Sequence, residues 1–337
     1  MKPFFFFFLP LIILTVCSAP TIEGKTYALI YGVSDYSDYA SALRLNAANL
    51  KACQNDARSL ATALESVYGS SAIIRLRIEP IYGGTATKER PTKQQILTDF
   101  ATIAAEADTG DRFLFFYAGH GIAMNADEVD PNDRGEYGET AVTYRKREYL
   151  CPAVGNSTEP VALREVLLSD KELREALLSL PCRKKFVLLD CCHSAGMISA
   201  YPDVNASVLH AFSNSAMTMA LRAYNAESES EKEAHKNTWI LAAAGETGNS
   251  YESSDIGNHG FFTYGLLKGF GEADFNRDGF VSWSELSAYT ADYSQLMLKE
   301  IDPFGNAAEF GDMLVTCGSG PEDILFAPVT RLDDSVF

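Results

Sequence analysis

Short apolar runs alternate with amphipathic stretches along most of the chain. Residues 26–33 are apolar or aromatic at nearly every position and end near a glycine, the pattern of a strand buried on both faces. Leu50, Ala57, Leu60, Leu64 and Val67 then recur at helical spacing and predict a helix over 50–68. A strand is expected at 73–78, and a helix over 92–107 with Pro91 and Thr92 at its start. Residues 112–121 read as a strand running into a glycine-flanked histidine, His120, followed by an acidic, irregular stretch over 122–148. Ser169 and Glu172 form a capping-box pattern that opens a helix over 170–180, ahead of a strand at 185–190. After a long polar segment, 197–237, a strand returns at 238–244, helices follow at 259–270 and 283–299, and a last strand at 323–327 is expected to close the sheet. Strands of about six residues alternating with helices imply βαβ units, hence an α/β fold with a mostly parallel central sheet and helices on both faces. Chemistry in such sheets collects at the carboxyl ends of the strands.

Composition narrows the function. The 337 residues are 47% hydrophobic and 22% charged, an ordinary globular mixture. A formal charge of -17 disfavours nucleic acid and anionic lipid as partners and favours cations or basic peptides. Residues 1–19 combine Lys2, an apolar stretch and a small-residue exit, as a secretory signal peptide does; an uncleaved N-terminal anchor or a lipid tether at Cys17 is the alternative. No later run is long enough to span a bilayer, so an exported protein, secreted or periplasmic, is expected. Six cysteines beyond the leader are too few for a disulfide scaffold and show no CxxC or zinc spacing.

Two predicted strands end in reactive side chains. One delivers His120, and the other delivers Asp190-Cys191-Cys192-His193. A thiol needs a base to become a nucleophile, so a Cys and a His at neighbouring strand ends make a working dyad. The Gly121 amide, with that of the cysteine, would form an oxyanion hole. Taken singly, each residue also reads as a satisfied loop histidine or an inert packed thiol.

Tyr-Ala-Gly-His-Gly at 117–121 and Asp-Cys-Cys-His-Ser-Ala-Gly at 190–196 resemble the His and Cys motifs of caspase-like cysteine peptidases, in the metacaspase and orthocaspase branch. The resemblance runs over about 25–330, through Leu50-Lys-Ala-Cys-Gln-Asn-Asp-Ala57, the 243–252 stretch and His259-Gly-Phe-Phe-Thr-Tyr264. It implies a caspase-like three-layer sandwich, with 25–196 as the large-subunit-like part, 238–330 as the small-subunit-like part and 197–237 as a linker. Arg222, Lys232 and Lys236 make that linker either a self-processing site or a plain surface loop. By the same resemblance Cys192 is the nucleophile, His120 the general base and acid, and Gly121 an oxyanion donor. Asp190 and Asp56, with Cys53 and Ser250, would line an acidic pocket for an Arg or Lys side chain before the scissile bond. Ala118 stands where many metacaspases have Ser. The resemblance also implies a monomer and no organic cofactor.

Asp274, Asn276, Asp278 and Glu285 occupy positions 1, 3, 5 and 12 of an EF-hand-like loop with Gly279 at position 6, so Ca2+ is the expected ion. A second acidic stretch, from Asp127 to Glu136, is a weaker calcium candidate. Two other classes stay open: an inactive caspase-fold module that binds calcium and partners, and a redox protein using Cys191 and Cys192.

Overall fold

The computed structural model describes residues 22–45, 47–81, 89–133, 146–155, 160–192, 238–243, 250–301, 315–318 and 324–337. The linker 197–237, the leader and His193 lie outside the described residues.

The first half runs β1 (Thr26–Val33), α1 (Tyr39–Leu43), α2 (Cys53–Tyr68), β2 (Ala72–Glu79), α3 (Lys93–Glu106), β3 (Arg112–Asn125) and α4 (Ala126–Val129). It continues through β4 (Lys146–Leu150), α5 (Leu163–Val166), β5 (Leu168–Ser169), α6 (Asp170–Ser179) and β6 (Lys184–Cys192). The second half contains β7 (Thr238–Ala242), β8 (Glu252–Ser253), β9 (His259–Gly260) and α7 (Phe261–Glu272). It ends with β10 (Phe280–Ser282), α8 (Trp283–Ile301), β11 (Val315–Gly318) and β12 (Leu325–Pro328).

The main sheet has the order β11-β7-β6-β3-β1-β2, parallel from β2 to β7 with β11 antiparallel at the edge. Strands from both sides of the 197–237 segment therefore share one sheet. Adjacent residues of β1 show the two faces. The Tyr31 hydroxyl donates to Asp99 of α3 at 2.9 Å, whereas Gly32 lies against Cys53 and Ala57 of α2. A Cβ on Gly32 would sit 2.3 Å from the Cys53 carbonyl oxygen, so this glycine is what lets α2 approach the strand. Helices α2, α7 and α8 make one outer layer and α3, α5 and α6 the other. Phe113, Phe115, Phe116, Phe186 and Leu188 are fully buried between them, as expected for strands covered on both faces.

Two expectations need correction. The strand carrying His120 does not stop there: β3 continues to Asn125 because β4 pairs with it antiparallel, and α4 follows directly, so 122–148 is not wholly irregular. The last strand does not close the main sheet; β12 pairs with β10 in a separate two-stranded ribbon. The sheet edge is instead β11, which carries no distinctive sequence pattern. The predicted capping box is present, with Ser169 Oγ accepting from the Glu172 amide at 3.2 Å and Glu172 accepting from the Ser169 amide at 3.0 Å.

Candidate active site

Parallel pairing of β3 with β6 matches Ala118 to Asp190, Gly119 to Cys191 and His120 to Cys192. Positions paired in register lie on the same face of a sheet, and residues two apart share that face. Positions 118, 120, 190 and 192 therefore line one face at the carboxyl ends of the strands. Gly32, paired with Ala118, puts α2 on that same face.

His120 is 1% exposed, and its ring lies 4.4 Å from that of Tyr36 between centroids. Its Nε2 is 2.8 Å from the Ala48 carbonyl oxygen. A carbonyl only accepts, so in the neutral ring Nε2 bears the proton and Nδ1 the lone pair, the state a general base needs. The Tyr36 hydroxyl accepts from the His120 amide at 2.7 Å, and the Tyr117 hydroxyl donates to the Cys151 carbonyl at 2.7 Å. Gly119 fits between these rings: a Cβ there would be 2.6 Å from the Tyr117 hydroxyl and 2.7 Å from that of Tyr36.

Gly121 faces Leu150 in the β3–β4 ladder, and the Cys151 amide donates to the His120 carbonyl at 3.0 Å. Hydrogen-bonded and non-bonded pairs alternate along an antiparallel ladder, so the Gly121 amide is directed away from β4. It is therefore not spent on that ladder. Cys191 is buried, as are Cys53, Cys151 and Cys182, and burial pushes the Cys151 thiol far up. Buried, protonated thiols are poor nucleophiles.

Asp56 and Asp190 are 1% and 2% exposed. Asp190 accepts from Ser250 Oγ at 2.7 Å and Thr263 Oγ1 at 2.6 Å. Asp56 accepts from the Gly260 amide at 3.1 Å and is bonded to His259 Nδ1 at 2.8 Å. The two carboxylates converge on one residue, since a Cβ on Gly260 would lie 2.5 Å from Asp190 Oδ2. Burial pushes both carboxyls up, and Asp190 raises Asp56 further, while the Thr263 and Ser250 hydroxyls partly offset the rise at Asp190. Such paired, partly satisfied carboxylates keep acceptor capacity for a cationic group. Cys53 lies one turn before Asp56 and is buried beside β1. Glu252 fixes the start of α2 by accepting from the amides of Lys51 and Ala52, at 3.0 and 2.8 Å. Tyr36, the Ala48 carbonyl, Glu252, His259 and Thr263 were not singled out by the sequence patterns; the available signals were the 243–252 and 259–264 stretches, which contain Glu252, His259 and Thr263.

The 274–285 loop is remote from these groups in sequence and forms a helix–loop–helix between α7 and α8. Gly279 has φ +88, which is why glycine suits position 6. Asp274 accepts from the Asp278 and Gly279 amides, both at 3.1 Å, and Glu285 reaches back to the Phe275 and Asn276 amides at 3.1 and 3.2 Å. An all-oxygen donor set with the position-12 carboxylate folded over the loop's start suits a hard cation in its chemistry. Among the described residues, however, no three His, Cys, Asp or Glu side chains are grouped closely enough to hold a metal ion. Asp127, Glu128, Asp130 and Asp133 form no such group either; Glu136 is outside the described residues. Among them, too, no helix is long and apolar enough to cross a membrane.

A family model described as the caspase domain matches residues 25–287. The chain is 27% identical over 153 residues to metacaspase-4 of Arabidopsis thaliana, an alignment covering 45% of this chain and 31% of that protein. It is 31% identical over 123 residues to metacaspase-1 of Schizosaccharomyces pombe, covering 35% of this chain and 26% of the relative. The matched segments thus span less than a third of these relatives' lengths. A crystal structure of a Geobacter sulfurreducens protein superposes with a TM-score of 0.50, covering 92% of this chain and 100% of the other. At 18% identity that likeness concerns the fold alone.

Proposed function

The chain belongs to the caspase-domain family, and from that membership we propose that it is an exported cysteine endopeptidase that cuts peptide bonds after Arg or Lys. The observation that supports this most is the β3–β6 register, which pairs His120 with Cys192 and Ala118 with Asp190. Cys192 gives its thiol proton to His120 Nδ1, and the thiolate adds to the scissile carbonyl carbon. Charge gathers on the carbonyl oxygen, where the amides of Gly121 and Cys192 receive it. Collapse breaks the C–N bond, the amine leaves with the proton from His120, and a thioester remains. Water, deprotonated by His120, then hydrolyses the thioester and restores the thiol. Asp56 and Asp190 hold the basic side chain before the cut, with Ser250 orienting Asp190 and Cys53 contributing to the wall.

The acyl-enzyme reading needs no organic cofactor. Asp274, Asn276, Asp278 and Glu285 supply the oxygen donors for Ca2+, which would have to draw them closer together than they stand and would then neutralise their charge and stiffen the join between α7 and α8. The enzyme acts as a monomer on peptide and protein substrates, and basic residues in 197–237 are candidate sites of self-cleavage.

The test is hydrolysis of fluorogenic peptides bearing Arg, Lys, Asp or Asn before the reporter, with calcium or chelator, by wild type and Cys192→Ala. Release after Arg and Lys that vanishes in the variant is expected. Release only after Asp or Asn would sink the pocket assignment, and release that survives in Cys192→Ala would remove the nucleophile.

A further inference from the structure

His259 lies in the short strand β9, away from the Cys192–His120 pair in sequence, and the acyl-transfer steps make no use of it. It is nonetheless 2% exposed, an unusual position for a titratable side chain without a role. Its Nδ1 sits 2.8 Å from Asp56 Oδ1, and the next amide, of Gly260, donates to the same oxygen at 3.1 Å and to Oδ2 at 3.3 Å. Two donors from consecutive residues thus grip mainly one oxygen of Asp56. The other oxygen retains acceptor capacity.

We propose that His259 is a positioning residue for substrate specificity, holding Asp56 so that its second oxygen meets the basic side chain of the substrate. The proposal rests on the reading of Asp56 and Asp190 as the specificity carboxylates.

The choice of histidine has a physical reason. Burial pushes His259 down to about 4, so the ring is neutral near pH 7 and donates a hydrogen bond without placing a positive charge beside the carboxylate. A Lys or Arg there would grip Asp56 as firmly but would cancel the charge the substrate has to find. Gly257, at φ +74, turns the chain just ahead of His259, and a Cβ there would come within 3.4 Å of the His259 ring. Gly260 then lets Asp190 close on the same turn. One dipeptide, His259-Gly260, therefore sets the spacing of both carboxylates.

The experiment compares His259→Asn with His259→Gln. The Asn amide nitrogen falls where Nδ1 lies and reaches Asp56; the Gln amide nitrogen falls nearer the Nε2 position and does not. Steady-state hydrolysis of an Arg peptide is measured beside the rate of inactivation by iodoacetamide, which reports Cys192 without using the pocket. Expected for Gln is a KM raised by about tenfold or more, with kcat and the alkylation rate near wild type, and for Asn a KM within about threefold of wild type. Equal KM values for all three proteins, or alkylation slowed as much as hydrolysis in both variants, would overturn the proposal. If wild type fails to cleave after Arg at all, the underlying pocket reading falls and the positioning role with it; if wild type cleaves and Gln is silent on KM, only the positioning role falls.

Discussion

Asp56 is the residue whose environment departs furthest from what a helix surface would give it. It lies in the first turn of α2, where a carboxylate is normally a solvated cap, yet it is buried against His259, Gly260 and Asp190. Burial, with the Asp190 charge added, pushes its pKa well above the ordinary value. A raised pKa means that the folded chain binds more protons than the unfolded one. Stability from this group is therefore full below about pH 4 and is lost as pH rises through the raised value. His259, pushed down to about 4, acts in the opposite sense below neutrality and is common to wild type and variant. Asp56→Asn keeps an acceptor for the His259 and Gly260 donors but removes the titration. Its denaturant midpoint relative to wild type should climb as pH rises above about 4, the unfolded carboxyl's value, and level off once the raised value is passed. A difference that stays flat over that range would show that Asp56 ionises normally in the fold.

At the scale of elements, β3 does two jobs. Its first part is a central strand between β1 and β6, and its end is an antiparallel partner of β4. The change of partners falls at residues 119–121, where Tyr36, Tyr117 and Cys151 converge on the backbone. Glycine at 119 lets the strand pass. Gly119→Ala should lower kcat/KM by about a hundredfold or more, because a shift of about 1 Å at His120 is enough to misalign proton transfer. Gly110→Ala, at a position where an added Cβ meets nothing within 4 Å, serves as the control and should leave activity unchanged. Comparable losses in both variants would mean that the tyrosine contacts do not constrain the strand. Arg112, at the other end of β3, donates to the carbonyls of Leu325 and Phe326 and lashes β12 to the sheet, a link between residues more than 200 positions apart.

The whole molecule carries a charge of -17, and a field of that sign draws cationic peptides toward it and is screened by salt. An Arg peptide flanked by lysines should lose kcat/KM between about 10 mM and about 300 mM salt, whereas the same peptide flanked by aspartates should gain or hold steady. Identical salt profiles would rule out a steering role for the net charge. The sequence by itself determined the α/β class, the burial of the central strands and the helix starts at Thr92 and Ser169, and it suggested the residue types of the proposed dyad, because these depend on local pattern and on chemistry that few side chains can perform. The glycines at 119 and 279 were legible for the same reason: lacking a side chain is a property of the residue, used for space at 119 and for a positive φ at 279. What only the tertiary structure decided were contacts between distant segments. The register that pairs His120 with Cys192, the grip of His259 on Asp56 and the pairing of β12 with β10 all join residues tens to hundreds of positions apart. No local periodicity records such contacts, since they are selected by how whole layers pack and by which buried polar groups must find a partner.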